Sequence, residues 1–316
     1  MEEAVSVPRS QKISRRVVGN NIWLGHDLAG MRERLAQAAV YKIEPDVQPT
    51  EEAIGRAMWA ETESAGKARQ GDLVILLLGG RGAQALHRLI GEKARTNEAD
   101  ELLKRLHVFT QDALAPMAMD NGFSFVRDFE RLLGPAFFGK IKSFNSMTTD
   151  TDDLEGELAR YIEKLEALGG IDILFLGLGP EADAASHLAY IKPGSGATIE
   201  DSAGMIPISA SILEHHISKF KAGGSTVTEA DEAECRAATD ILTIGPAAIL
   251  SARRIVQSIV DASTAPAKRA SYRRVLETEI AVDPAKRASQ LDENPGLWIR
   301  LHPNVRSLIL PDVLEP

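Results

Sequence analysis

Three groups of polar residues in this 316-residue chain stand directly after short apolar runs, where chemistry is usually placed. Gly79-Gly80-Arg81-Gly82 follows the run 73–78. Glycines let a backbone approach a ligand closely, and the N-terminus of a following helix offers unpaired N–H groups to an anion. Arg81 would add a charge-assisted contact. The group reads as a phosphate cradle built on Gly79, Gly80 and Arg81, or as a tight turn with a solvated arginine. Asp112 follows the run 106–110. A carboxylate beside an anion-binding turn can act as general base on a bound sugar; an aspartate there can equally cap the turn. His187 lies beyond the run 171–176, with Glu181 and Asp183 shortly before it. It reads as a general acid/base tuned by Asp183 or Glu181, or as a loop histidine bonded to backbone.

Other patterns exclude chemistry. Gly80–Ala85 and Gly177–Ala182 each fit G-x-G-x-x-A, but neither has the strand-end acid about 20 residues on that would hold a ribose. No dinucleotide cofactor is expected. His215, His216 and His302 have neither ligand spacing nor acidic partners in register, so no metal site is expected.

These residues need elements to position them. The runs 73–78, 106–110, 171–176, 240–244 and 307–310 are continuously apolar or nearly so, as suits strands buried on both faces of a parallel sheet. Helical periodicity falls at 83–95, 154–168 and 248–260. The alternation predicts a doubly wound α/β fold, a mostly parallel sheet with helices on both faces, whose ligands bind beyond the carboxyl ends of the strands. Residues 1–40 are set apart as an N-terminal arm, with Arg9, Lys12, Arg15 and Arg16 followed by a short helical segment at 28–39; residues 41–316 form the α/β domain.

Composition narrows the partners. Hydrophobic residues make up 44% of the chain and charged residues 26%, which are ordinary globular values. The net charge of -9 argues against a nucleic-acid partner or a membrane surface. No apolar run approaches the ~18 residues that span a bilayer, and the first 25 residues lack the apolar core of a signal peptide. The single cysteine, Cys235, allows no internal disulfide and fits a structural thiol in a cytoplasmic protein.

Taken in order, the strand-end motifs resemble the glucosamine-6-phosphate deaminase/isomerase family, which shares its fold with the 6-phosphogluconolactonases. Residues 78–82, LGGRG, stand where the family has TGGTP; 109–114, FTQDAL, where it has FNMDEY, with Ser124-Phe125 matching its S-Y. Tyr161 and the GGID of 169–172 resemble its Y-E-x-K-I and GGID stretches. Residues 187–195, HLAYIKPGS, are similar to HIAFNEPGS; Leu242 to Gly245 with Ala252-Arg253 resemble T-V-G-V-G-T-L-L-D-A-R; and 298–303, WIRLHP, resembles the closing LQLHP. The resemblance implies a small-molecule sugar-phosphate substrate and no metal or redox cofactor. It implies that Asp112 moves a proton between C1 and C2 of the open-chain sugar, that His187 helps open the ring, and that Lys219 and Lys268 hold phosphate. It implies release of ammonia from an amino-sugar phosphate to give a ketose phosphate, and a homo-oligomer in some members.

The chain also departs from the family. Asp183 to His187 spreads a D-G-H over five residues, Lys192 replaces a glutamate, Ala113-Leu114 replace an acid and a tyrosine, and Arg81-Gly82 replace T-P. Two alternatives follow: a lactonase in which His187 activates water, and a sugar-phosphate-binding protein without catalysis. Residues 183–192 are expected to wall the pocket, with His187 facing Asp112 and the Lys192 ammonium near the glycine turn.

Overall fold

All five side chains of β4 (Leu73–Leu77) are buried, because this strand has a layer of helices or sheet on each side. The structure, a computed structural model, describes residues 13–26 and 38–316. The helix expected at 28–39 lies almost wholly outside these residues, as do Arg9 and Lys12.

The main sheet has seven strands in the order β3 (Pro45–Val47), β14 (Val305–Ile309), β13 (Arg254–Ile259), β8 (Ile173–Leu176), β4, β5 (Leu106–Thr110), β7 (Ser143–Asn145), and every pairing is parallel. Alternate side chains divide between two cores. Val74, Leu76, Leu174 and Leu176 face Tyr161 and Leu165 of the helix Leu154–Ala167. Leu73, Ile75, Leu77, Ile173 and Phe175 face Met58 of the helix Glu51–Ala68, Ile90 of the helix Gln84–Thr96 and Phe129 of the helix Phe125–Phe138. This is the doubly wound arrangement that the alternating runs predict.

A second sheet covers one side. Its order is β1 (Ile13–Val18), β2 (Asn21–His26), β11 (Asp201–Pro207), β12 (Asp240–Ile244), β6 (Asp112–Ala115), and it is antiparallel throughout. The N-terminal hairpin is therefore sheet, and its Trp23 is fully buried, with Nε1 donating to the Ser195 carbonyl at 3.0 Å. Gly204 lies under that indole; a Cβ there would sit 2.5 Å from Trp23.

Two expected elements differ. The run 240–244 belongs to the antiparallel sheet, because continuous apolarity reports burial on both faces and carries no strand direction. Residues 248–260 are not one helix: the helix Pro246–Ser251 stops, and 254–259 form β13 inside the parallel sheet. The β-branched Ile255, Val256 and Ile259 favour the strand, and their spacing also fits a helical face.

From β4 the chain crosses to β5 and β7 on one side; from β8 it crosses to β13 on the other. The carboxyl ends of β4 and β8 thus flank a topological switch point, where open α/β sheets place their ligands. Among the described residues no helix is long and apolar enough to cross a membrane.

Candidate active site

A pocket opens at that switch point, lined by the turns after β4, β5, β8 and β13. On the β4 side the backbone requires glycine. Gly80 has φ 74° and ψ −165°, a region costly for any side chain. A Cβ on Gly79 would lie 2.1 Å from Phe125 Cδ1. The Gly82 carbonyl accepts from Ser258 Oγ at 2.5 Å, tying this turn to β13. Arg81 lines the pocket while its guanidinium donates to both carboxylate oxygens of Glu51, at 2.5 and 3.3 Å.

Asp112 is the first residue of β6, one residue beyond β5. It is 5% exposed and makes no salt bridge with a described residue. Desolvation pushes its carboxyl up to about 8. Tyr161 beneath it donates to the Thr110 carbonyl at 2.5 Å, which fixes the end of β5.

His187 sits on a short ribbon in which β9 (Gly179–Pro180) pairs antiparallel with β10 (Ser186–His187). The ribbon brings Glu181 Oε1 to 2.8 Å from His187 Nδ1. Gly179 packs over a face of the ring; a Cβ there would be 1.7 Å from Nε2, 1.9 Å from Cε1 and 2.3 Å from Cδ2. Tyr190 stacks on the imidazole at 5.2 Å between centroids and 17° between planes. Asp183, Ala184, Ala189 and Tyr190 all have positive φ, between 47° and 61°. Such conformations store strain and cluster at functional sites.

The far end of the pocket is cationic. Lys268 Nζ lies 2.5 Å from Asp261 Oδ1, and Lys219 Nζ lies 3.6 Å from Asp261 Oδ2 and donates to Thr264 Oγ1 at 3.2 Å. Burial works to raise the Asp261 carboxyl, but Lys268 and Lys219 overcome it and hold the group below its usual range. His216 is buried, with Nε2 2.8 Å from the Phe123 carbonyl, and burial lowers it to about 4. Cys235 is buried, and its thiol is pushed up to about 11.

One pocket therefore brings together Gly79, Gly80, Arg81, Asp112, His187, Lys219 and Lys268. Asp183 is not among its lining residues: its side chain is exposed, and its carbonyl accepts from Arg274 at 2.6 Å. Glu181 is the acid on His187, because ribbon pairing folds position 181 back onto 187, while the 3₁₀ turn of 182–184 swings position 183 outward. Lys192 is also absent from the lining; its ammonium donates to the Pro207 carbonyl at the end of β11, and burial lowers it from its usual range. Sequence reasoning missed Tyr190, His215, Ser258 and Asp261. Asp261 follows an apolar strand just as Asp112 does, so reading 254–259 as a strand would have exposed it. Among the described residues, no group of three or more His, Cys, Asp or Glu is placed to hold a metal ion.

The chain aligns with a monomeric glucosamine-6-phosphate deaminase at a TM-score of 0.64 and 20% identity, over 86% of this chain and 98% of that one. It aligns with the 6-phosphogluconolactonase of Trypanosoma cruzi at 0.60 and 14% identity, over 87% and 97%. The protein thus has the fold shared by glucosamine-6-phosphate deaminases and 6-phosphogluconolactonases. In sequence it resembles the deaminases: it is 39% identical over 59 residues to the glucosamine-6-phosphate deaminase of Bacteroides thetaiotaomicron. That match covers 19% of this chain and spans a fifth of the relative's length, 20%. No protein-family model matches the chain.

Proposed function

We propose that the protein is an enzyme acting on a phosphorylated amino sugar, releasing ammonia and forming the ketose phosphate. The observation that carries this reading is that Asp112 and His187, whose Nδ1 is held by Glu181, line the same pocket as Arg81, Lys219 and Lys268. The lysine end and the Gly79–Gly82 turn would hold the phosphate, and the carbon chain would extend toward Asp112.

In the proposed reaction the His187 imidazole takes the proton of the C1 hydroxyl and delivers one to the ring oxygen, opening the ring. Glu181 holds the imidazole in place through Nδ1, which leaves Nε2 for the sugar. The Asp112 carboxylate then takes the C2 proton while O1 is protonated, and returns that proton to C1. The resulting C2 imine adds water, and ammonia leaves to give the ketone.

The state of Asp112 favours an amino substrate. With a carboxyl pushed up to about 8 by burial, Asp112 is largely protonated at neutral pH. An ammonium group at C2 stabilises the carboxylate by opposite charge and so creates the base when it is needed. A lactone brings no such cation.

Parallel assays test the reading: ammonia release from glucosamine 6-phosphate and hydrolysis of 6-phosphogluconolactone, each with wild type and Asp112→Asn. Ammonia release that falls in the variant supports it. Lactone hydrolysis without ammonia release replaces it with the hydrolase reading. Tight binding of sugar phosphate with neither activity leaves a binding protein.

A further inference from the structure

We propose that His215 is a third ligand of the phosphate and gives the pocket its preference for a phosphate over a carboxylate group. The inference rests on the sugar-phosphate reading of the site.

Geometry comes first. His215 and Lys219 stand one turn apart on the helix Ala210–Ala222, so their side chains share a face, and both line the pocket. Lys268 and Asp261 approach from the segment after β13, and His187 from the ribbon; all four charged or titratable neighbours act on the His215 ring. His215 makes no hydrogen bond to another described residue, and it is exposed as well as lining the pocket.

Charge counting then assigns it a task. Lys219 and Lys268 are both engaged with Asp261, so the three groups together carry about one positive charge. Arg81 is held by Glu51. One positive charge matches a carboxylate, whereas a phosphate monoester carries about −1.5 to −2 at pH 7. His215, on the same helix face as Lys219, is a titratable source of the missing charge. Partial burial, Lys219 and Lys268 lower His215 to about 4, so the ring by itself is neutral at pH 7. An arriving phosphate dianion reverses the sign of the local field, and a nearby opposite charge favours the protonated ring. Binding therefore takes up a proton at His215. A carboxylate, already matched by the lysine–aspartate group, does not draw that proton.

Calorimetry at pH 8 in buffers of different ionisation enthalpy tests this. Sorbitol 6-phosphate is the probe, because it bears no amine and cannot be turned over; gluconate is the carboxylate control. At pH 8 the free phosphate is already dianionic, so it takes up no proton of its own. Comparison with His215→Gln subtracts any contribution from Asp112 or His187. The expected result is proton uptake with sorbitol 6-phosphate that His215→Gln loses, with affinity falling about tenfold, the size of one charge-assisted hydrogen bond. Gluconate binding is expected to be unchanged. On glucosamine 6-phosphate the variant should raise KM about tenfold with kcat kept. Equal uptake and affinity in both proteins would overturn the role of His215 and leave the sugar-phosphate site standing. No binding of sorbitol 6-phosphate to wild type would overturn the site itself, and the inference with it.

Discussion

His187 Nδ1 lies 2.8 Å from Oε1 of Glu181, an acid six residues earlier in the chain that directly follows the β9 arm of the β9–β10 ribbon. Glu181 stands outside the stretch that resembles the deaminase histidine motif, yet it occupies the position of an orienting acid. Glu181→Gln keeps the side-chain shape and removes the charge that stabilises an imidazolium. The expected outcome is a kcat about 10²-fold lower on glucosamine 6-phosphate with KM little changed, the lower range for a lost acid–base function. Asp183→Asn, by contrast, should leave kcat near wild type. Steady-state kinetics of the two variants side by side checks the assignment.

Asp112 should carry a stability cost that depends on pH. Its folded carboxyl is near 8, against about 3.9 in an unfolded chain. Between those values the folded state binds more protons than the unfolded one, so stability falls as pH rises through this window and is flat above it. Asp112→Asn removes the titration. Its Tm should match wild type near pH 4 and exceed it by several degrees at pH 9, while ammonia release falls by about 10²–10⁴-fold. Scanning calorimetry across pH 4 to 9 would sink this expectation if the two curves ran parallel.

Gly179 and His187 are in contact with no room between them. A methyl group at 179 would sit 1.7 Å from His187 Nε2, so Gly179→Ala must displace the ring that the reaction uses. Catalysis should collapse while circular dichroism stays native, because neither Gly179 nor His187 belongs to either apolar core. Activity near wild type would mean that Nε2 is not the working nitrogen.

Lys268 serves both stability and binding, and the two can be separated. Asp261 is 4% exposed, and Lys268 is its nearer partner. Lys268→Ala leaves the buried Asp261 with only the more distant Lys219, at 3.6 Å, so it should cost about 1–3 kcal/mol at pH 7. Adding Asp261→Asn removes that buried charge. The double variant should recover most of the stability, measured by urea unfolding, yet remain weak in sugar-phosphate binding.

The sequence alone determined four strands of the parallel sheet, at 73–78, 106–110, 171–176 and 307–310, and the turns that follow them. A run such as 73–78 followed by three glycines in four positions is both a doubly buried strand and a close-approach turn, and those properties are local. The glycine turn, Asp112 and His187 were legible for the same reason. Strand direction in the second sheet, β13 and the partner of His187 were not. Ile255, Val256 and Ile259 satisfy helical spacing and strand propensity equally, and only their neighbours β8 and β14 choose between them. Asp183 is nearer His187 in the chain than Glu181 is, yet the ribbon turns the carboxylate of Glu181 in and that of Asp183 out. Lys192 shows the same limit: a carbonyl contributed by β11 draws its ammonium away from the pocket. Spacing along a chain can place a side chain near a site, but its direction is set by hydrogen bonds from elements that are distant in sequence.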